Sequence, residues 1–319
     1  MNPQKLTNDV INETATIIDK FGPRLAGTKA ALAAADYLYA DAKNYSDETH
    51  TQDFYINQGA FLGWINLLVI FYLLGLIFFM LHYPVVTLVL LALSVLILYL
   101  QFIRYLPIID FLFPKRQARN VYGVIEPKGE VKRQIIISGH HDSANVFNFF
   151  IHQPKLYNLR VTGSIVFVIL SLLLAIANLI FPNEILHYIS LGIIAFGVLL
   201  VGQMWFFRSK KATPGAGDNL ASTQIAFQLG KYFYNARGTD KELKHTRIIF
   251  ASFDAEEEGL RGARAFVKKH KAKLLETKTY LLNIECLYDE NELFFLTSDI
   301  NDSVKLSDNL ALELVNIAK

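Results

Sequence analysis

Four long apolar runs divide this chain, and nearly all of its polar residues lie between or beyond them. From Phe61 to Leu81 almost every residue is apolar, and after His82-Tyr83-Pro84 the chain is apolar again to about Leu106. The pattern returns from Val161 to Phe181, crosses a turn at Pro182-Asn183-Glu184, and continues from Ile185 to Phe207. Each run reaches the roughly 20 residues that cross a bilayer core, and each connection is short enough to force an antiparallel hairpin. The spacing predicts four membrane spans in two hairpins, with Trp64 and Tyr105 near span ends, where aromatic belts form.

Between the runs the periodicity changes. Helical spacing of Val10, Ile11, Ile17 and Ile18 predicts helix from about Leu6, with Asn8 or Asn12 as a cap, and an Ala-rich helix follows from Lys29 to Lys43. The loop Gly22-Pro23-Arg24-Leu25-Ala26-Gly27-Thr28 separates the two. Strands are predicted at Thr51 to Ile56, Asn120 to Ile125, Gln134 to Ser138, Thr246 to Ser252, Tyr280 to Glu285 and Glu292 to Thr297. Helices are predicted at Leu220 to Tyr234, Ala263 to Leu275 and Leu306 to Lys319. Arg247 to Ser252 alternates too little for a surface strand and reads as a buried parallel one. Such alternation predicts an α/β sheet domain interrupted by the two hairpins. Its parts are residues 1–60, 107–160 and 208–319, and the hairpins are residues 61–106 and 161–207.

Composition agrees with spans. Hydrophobic residues make up 52% of the 319, charged residues only 19%, and the mean hydropathy of +0.29 is too apolar for an ordinary soluble enzyme. A net charge of +2 gives no reason to expect nucleic acid as a partner. The single cysteine, Cys286, excludes an internal disulfide and a Cys-rich zinc site. Met1 to Asp19 lacks the apolar core of a secretory signal. Arg104, Lys115, Arg116, Arg119, Lys155, Arg160, Arg208, Lys210 and Lys211 flank the hairpins, whereas the two turns carry no Lys or Arg. By the positive-inside rule the turns face out and the rest faces the cytoplasm. Apart from His82 and His187 the spans hold almost no ionisable residue, which argues for anchoring in the lipid bilayer rather than transport.

Candidate chemistry gathers at strand ends. After the strand at Thr246 to Ser252 comes Phe253-Asp254-Ala255-Glu256-Glu257-Glu258-Gly259. Three successive carboxylates there repel one another and lose hydration, so a cation is the economical partner; alone, the run also fits an acidic helix N-terminus. Gly139-His140-His141-Asp142-Ser143 follows Ile135-Ile136-Ile137: the imidazole of His140 suits a metal and Asp142 could orient it, although such a His is often merely hydrogen-bonded. Pro214-Gly215-Ala216-Gly217-Asp218-Asn219 presents Asp218 just before a helix, where it could bind metal or cap. Asn283-Ile284-Glu285 puts a last carboxylate at a strand end.

Taken in this order, the motifs, with the Gly22 to Thr28 loop, resemble the co-catalytic zinc aminopeptidases, whose relatives include glutamate carboxypeptidases, glutaminyl cyclases and the transferrin receptor ectodomain. The resemblance implies a three-layer α/β/α zinc-peptidase domain of phosphorylase/hydrolase-like fold, two zinc ions and a peptide substrate. It implies that His140 and Glu285 hold one zinc, Asp218 bridges both, and Glu257 is a terminal ligand of the other. It further implies that Asp142 supports His140, and that Glu256 is the general base working on water activated by two cations about 3.5–4 Å apart. His141 and Glu258 match no family position. One departure stands out: the family has a further His ligand late in the chain, and no histidine follows His270. The expectation drawn from it is a chain that lacks its final strands and helix. A cyclase-like acyltransferase with one working zinc and a non-catalytic receptor or scaffold are the alternatives, and the adjacent Glu256 and Glu257 speak against the latter.

Overall fold

In the computed structural model, which describes residues 2–287, 293–299 and 302–318, the segments outside the apolar runs converge on one five-stranded sheet. Two helices come first, α1 (Pro3–Phe21) and α2 (Lys29–Ala42). Their caps are local: Asn2 Oδ1 accepts the amides of Gln4 and Lys5, and Thr28 Oγ1 accepts that of Ala31. The start of α1 therefore lies upstream of the predicted Asn8 or Asn12, because Asn2 with Pro3 behind it already supplies a cap and a first-turn proline.

The sheet follows as β1 (Glu48–Asn57), β2 (Lys115–Ile125) and β3 (Arg133–His140). The first apolar hairpin, α3 (Ala60–Met80) and α4 (Pro84–Ile97), sits between β1 and β2. The second run of that hairpin is not α-helical throughout: Leu98–Ile103 widen into a π-helical segment. A small ribbon, β4 (Asn145–Phe147), and a short helix, α5 (Asn148–His152), lead into the second hairpin, α6 (Tyr157–Ile180) and α7 (Glu184–Val201). The chain returns through β5 (Arg208–Ala212), paired with β4, to α8 (Ala221–Asn235), β6 (Thr246–Phe253), α9 (Arg261–Glu276), β7 (Lys278–Asn283) and α10 (Asp308–Ala318).

Strand order is β1-β2-β6-β3-β7. β6 runs parallel to β3 and antiparallel to β2, so the expected buried strand is parallel on one side only. Alternate residues face opposite layers. Val121, Ile137 and Phe250 pack against Ile17, Leu38 and Phe227 of α1, α2 and α8, while Tyr122, Ile136 and Ile249 pack against Phe266 of α9. Burial on both faces is why these strands read as continuous apolar runs. The result is a mixed α/β sheet with helices on both sides. Of the strand expected at Glu292 to Thr297, Glu292 lies outside the described residues and Leu293 to Thr297 form no strand; only an isolated bridge joins Ser298 to Lys305.

Four helices are long and apolar enough to cross a membrane: Ala60–Met80, Pro84–Ile103, Pro154–Ile180 and Glu184–Phe206. They pack as one bundle around Leu68, Tyr72, Phe79, Val168 and Ile194, and expose Ile77, Val89, Leu173 and Leu199 outward. Inside, the Tyr72 hydroxyl meets Ser171 Oγ at 3.0 Å and donates to Ile194 O at 2.8 Å. Asn178 donates to Ser190 at 2.9 Å. Paired polar groups of this kind join apolar helices to one another. The rings of His82 and His187 stack at 4.1 Å, so the turns of the two hairpins lie side by side.

Candidate metal centre

Because β3, β6 and β7 are mutually parallel, their carboxyl ends open at one edge of the sheet, where ligand sites of open α/β folds collect. His140 is the last residue of β3, the acidic run begins one residue past the end of β6, and Glu285 stands two residues past the end of β7. Asp218 comes from the turn ahead of α8.

Arg24 fastens this edge together. It is fully buried, and its guanidinium donates to four backbone carbonyls: His141 at 2.9 Å, Gly22 at 2.6 Å, Pro214 at 2.9 Å and Gly215 at 3.3 Å. Its own amide donates to Ser143 Oγ at 3.0 Å. One side chain thus ties the Gly22 loop to the His140 and Asp218 loops, and burial pulls its pKa down to about 10. Gly215 has φ +64°, and a Cβ there would stand 2.9 Å from Arg24 Nη2, so the close approach requires glycine.

Asp142 and Asp254, both fully buried, shape the acidic run. The amides of Glu256 and Glu257 donate to the two oxygens of Asp142, each at 3.1 Å, while Asp254 accepts the amides of Arg119 at 2.9 Å and Ala255 at 2.8 Å. Asp142 Oδ1 also lies 3.2 Å from His140 Nδ1. Burial works against ionisation of Asp142, yet His140 outweighs it and holds the carboxyl below its usual range. Asp142 therefore turns His140 outward and aims Glu256 and Glu257, with no face of its own in the opening.

His140 Nε2 points at three acids, 3.2 Å from Asp218, 3.5 Å from Glu285 and 3.7 Å from Glu256, but is aligned with none of them as a hydrogen bond. A buried nitrogen without a partner costs free energy unless something else binds it. Burial alone would lower the imidazole pKa, but Asp142, Asp218 and Glu285 raise it well above its ordinary value. Burial, with Asp142 and the other acids, pushes Glu256 up to about 7 and Glu257 up to about 9. This is a cluster short of positive charge.

The donors fall into two overlapping sets. His140, Asp218 and Glu257 offer ligand atoms within 4.8 Å of one another, as do Asp218, Glu285 and Cys286, and Asp218 belongs to both. Imidazole, carboxylate and thiolate donors suit zinc, so the residues fit the ion that the sequence motifs imply. All six expected site residues, His140, Asp142, Asp218, Glu256, Glu257 and Glu285, come together at this edge.

Some neighbours were not singled out in the sequence. Cys286, next to Glu285, was read only as a count; burial and the acids Asp218 and Glu285 push its thiol up to about 12. Asn219 donates to Glu285 at 2.6 Å and to Ile284 O at 2.8 Å. Tyr105, read as a belt residue, is half-buried, and its phenol pKa is raised by burial and by the nearby Glu256. No short-range signal marks Tyr105, because the fold alone brings the end of the first hairpin over the cluster. His141 is buried with Nδ1 2.8 Å from Ser252 Oγ, and desolvation drives it down to about 3, so it is a neutral structural histidine. His270 lies 3.3 Å from Tyr122 on the α9 face.

Fold and donors together define an α/β domain with a cluster of metal-ligand side chains at its strand ends. The profile of peptidase family M28 matches residues 201–317, which carry Asp218, Glu256, Glu257 and Glu285. No curated protein sequence matches the chain. Among solved structures it is similar to the Zn-dependent exopeptidase of Parabacteroides distasonis, at 14% identity and a TM-score of 0.46, covering 91% of this chain and 64% of that one. It is similar to a leucine aminopeptidase precursor of Bacteroides thetaiotaomicron, at 11% identity and a TM-score of 0.46, covering 90% of this chain and 64% of that one. The glutaminyl cyclase of Fimbriiglobus ruber gives 12% identity and a TM-score of 0.45, covering 88% of this chain and 61% of that one. The chain thus spans between 61% and 64% of these three proteins.

Proposed function

We propose that this chain is a membrane-anchored, zinc-dependent exopeptidase of aminopeptidase type. The observation that carries the reading is the sharing of Asp218 by two donor sets, with the Glu256 carboxylate beside them, 3.7 Å from His140 Nε2 and, among the described residues, accepting no hydrogen bond. Zinc held there would polarise a scissile carbonyl and lower the pKa of water. Glu256 is placed to accept a proton from the attacking water and return it to the leaving amine, and its raised pKa of about 7 suits both directions of transfer. Asp142 keeps His140 Nδ1 occupied, so that Nε2 faces the pocket. Asn219 and Asn283 donate to the two oxygens of Glu285 and hold it toward His140.

The catalytic domain sits, on this reading, at the cytoplasmic face. Its support is the basic residues on the domain side of the second, third and fourth spans and the adjacent, Lys- and Arg-free hairpin turns, which His82 and His187 bring side by side. A cyclase-like single-zinc centre is the second reading, favoured by the fact that only one of the two donor sets includes an imidazole.

The test is Glu256→Gln in detergent-purified protein. Hydrolysis of aminoacyl substrates should fall by a factor of about 10²–10⁴, the usual contribution of a general base, while zinc content stays at the wild-type value. Activity surviving in that variant removes Glu256 as the base, and cyclisation of N-terminal glutamine without hydrolysis selects the second reading. Asp218→Ala should lose metal from both donor sets.

A further inference from the structure

A second cavity, of about 440 Å³, opens where the two apolar hairpins meet the sheet domain. Part of its lining is apolar: Leu62 and Ile65 from the first turns of α3, and Met204 and Trp205 from the turn that follows α7. Another part is basic, Arg208 and Lys210 of β5. The one acid in the lining, Glu258, is already engaged, since it accepts the Gly59 amide at 2.7 Å and the Phe61 amide at 3.5 Å. Arg208 is half-buried and donates to Gly59 O at 3.2 Å; among the described residues it forms no ion pair. A guanidinium carries five N–H donors; among the described residues Arg208 spends one on Gly59 O, and the Glu258 carboxylate nearby favours its charge. Lys210 is exposed.

The place matters as much as the chemistry. Ala60 opens the first candidate span and Phe206 closes the last, so the cavity lies at the depth where lipid headgroups meet acyl chains. Exposed Trp205 has the amphipathic ring favoured at that boundary. We propose that this cavity binds one anionic membrane phospholipid, with its phosphate on Arg208 and Lys210 and an acyl chain against Leu62, Ile65, Met204 and Trp205. The inference rests on the helices being membrane spans, and is independent of the peptidase reading.

The chain has two tryptophans, so Trp64→Phe leaves Trp205 as sole reporter at the cavity. That variant, full length, is reconstituted into lipid nanodiscs containing phosphatidylglycerol or phosphatidylcholine with brominated acyl chains. Quenching of Trp205 should saturate at a several-fold lower fraction of the anionic lipid than of the zwitterionic one. Lys210→Gln should weaken that preference about fivefold, the scale of one basic residue at an anionic surface, and Arg208→Gln should weaken it further. Lys211→Gln, next in sequence but outside the lining, should leave it unchanged. Equal quenching by both lipids, or an equal loss in Lys210→Gln and Lys211→Gln, overturns the site in favour of diffuse attraction. Relief of quenching by soluble glycerophosphate overturns it in favour of a free anion. Failure to enter nanodiscs at all would instead refute the membrane spans.

Discussion

The Glu258 carboxylate accepts the backbone N–H of Gly59 at 2.7 Å, so the third acid of the metal-site run caps the helix that opens the first apolar hairpin. Gly59 has φ +81°, and no side chain of α3 itself caps this end. The sheet edge and the hairpin are thereby joined through Glu258, which also accepts the Phe61 amide at 3.5 Å. Glu258→Ala should cost about 1–2 kcal/mol, as for a lost cap to a charged acceptor, and lower the unfolding midpoint, while Glu258→Gln, which still offers an oxygen, should cost less. Gly59→Ala should destabilise as well, because the positive φ penalises a Cβ that would meet Arg208 Nη1 at 3.3 Å. Thermal unfolding of the purified variants measures both; a wild-type midpoint for Glu258→Ala would show that the cap carries nothing.

Arg24 serves four carbonyls from three loops, and no other residue can replace that fork. Arg24→Lys should leave most of those carbonyls unsatisfied, lower stability by about 3 kcal/mol or more, and reduce zinc content even though Arg24 touches no ligand atom. Zinc per chain, measured alongside the unfolding midpoint, checks this; full zinc occupancy in a stably folded Arg24→Lys protein would contradict it.

The acids of the cluster predict an unusual pH profile for the metal-free chain. Glu256 at about 7 and Glu257 at about 9 lie above their ordinary carboxylate value, chiefly through burial, and His140 is also raised. Each group holds its proton more tightly when folded than when unfolded. Their stabilising contribution is therefore complete below the unfolded pKa and is lost as pH rises through the folded one. In chelator the unfolding midpoint should fall steadily from about pH 5 to about pH 9, and the upward shift caused by added zinc should grow over the same range, since metal binding needs deprotonated ligands. A chelated midpoint that is flat or rises with pH would refute this account.

Cys286 Sγ lies within 4.8 Å of carboxylate oxygens of both Asp218 and Glu285 and is exposed. Zinc on that set should shield the thiol, so alkylation by a maleimide should slow several-fold on zinc loading and recover with chelator. In Glu285→Ala the protection should weaken. Identical alkylation rates with and without zinc would place the ion on the His140 set alone.

Much of this was legible in the chain because it depends on short-range pattern. The two hairpins follow from run length and hydrophobicity, and β2, β3 and β6 from apolar residues buried on both faces. The six residues expected at the site lie in motifs that each sit at the end of a strand or ahead of a helix, and the fold brings those motifs to one edge. Tyr105 shows the opposite case: its neighbours in sequence mark a span end, and only the path of the chain from α4 back to β2 sets it near Glu256. The Glu292 to Thr297 run shows where pattern alone misleads. Its apolar residues have strand-like composition, but Leu293, Phe294 and Leu296 are exposed and, among the described residues, no strand pairs with them.

The sequence by itself determined which segments are apolar, where the main helices and the five strands of the sheet run, and which donors stand at strand ends, because each depends on residues close along the chain. Tertiary structure decided that Asp218, from a turn, stands between His140, Glu257 and Glu285, that Arg24 fastens three loops, and that Glu258 caps α3. Most of those contacts join residues far apart along the chain, as Arg24 to His141, 117 positions, and Gly59 to Glu258, 199 positions. Their partners are chosen by the parallel alignment of β3, β6 and β7 and by the insertion of the hairpins between strands, and no local spacing encodes either.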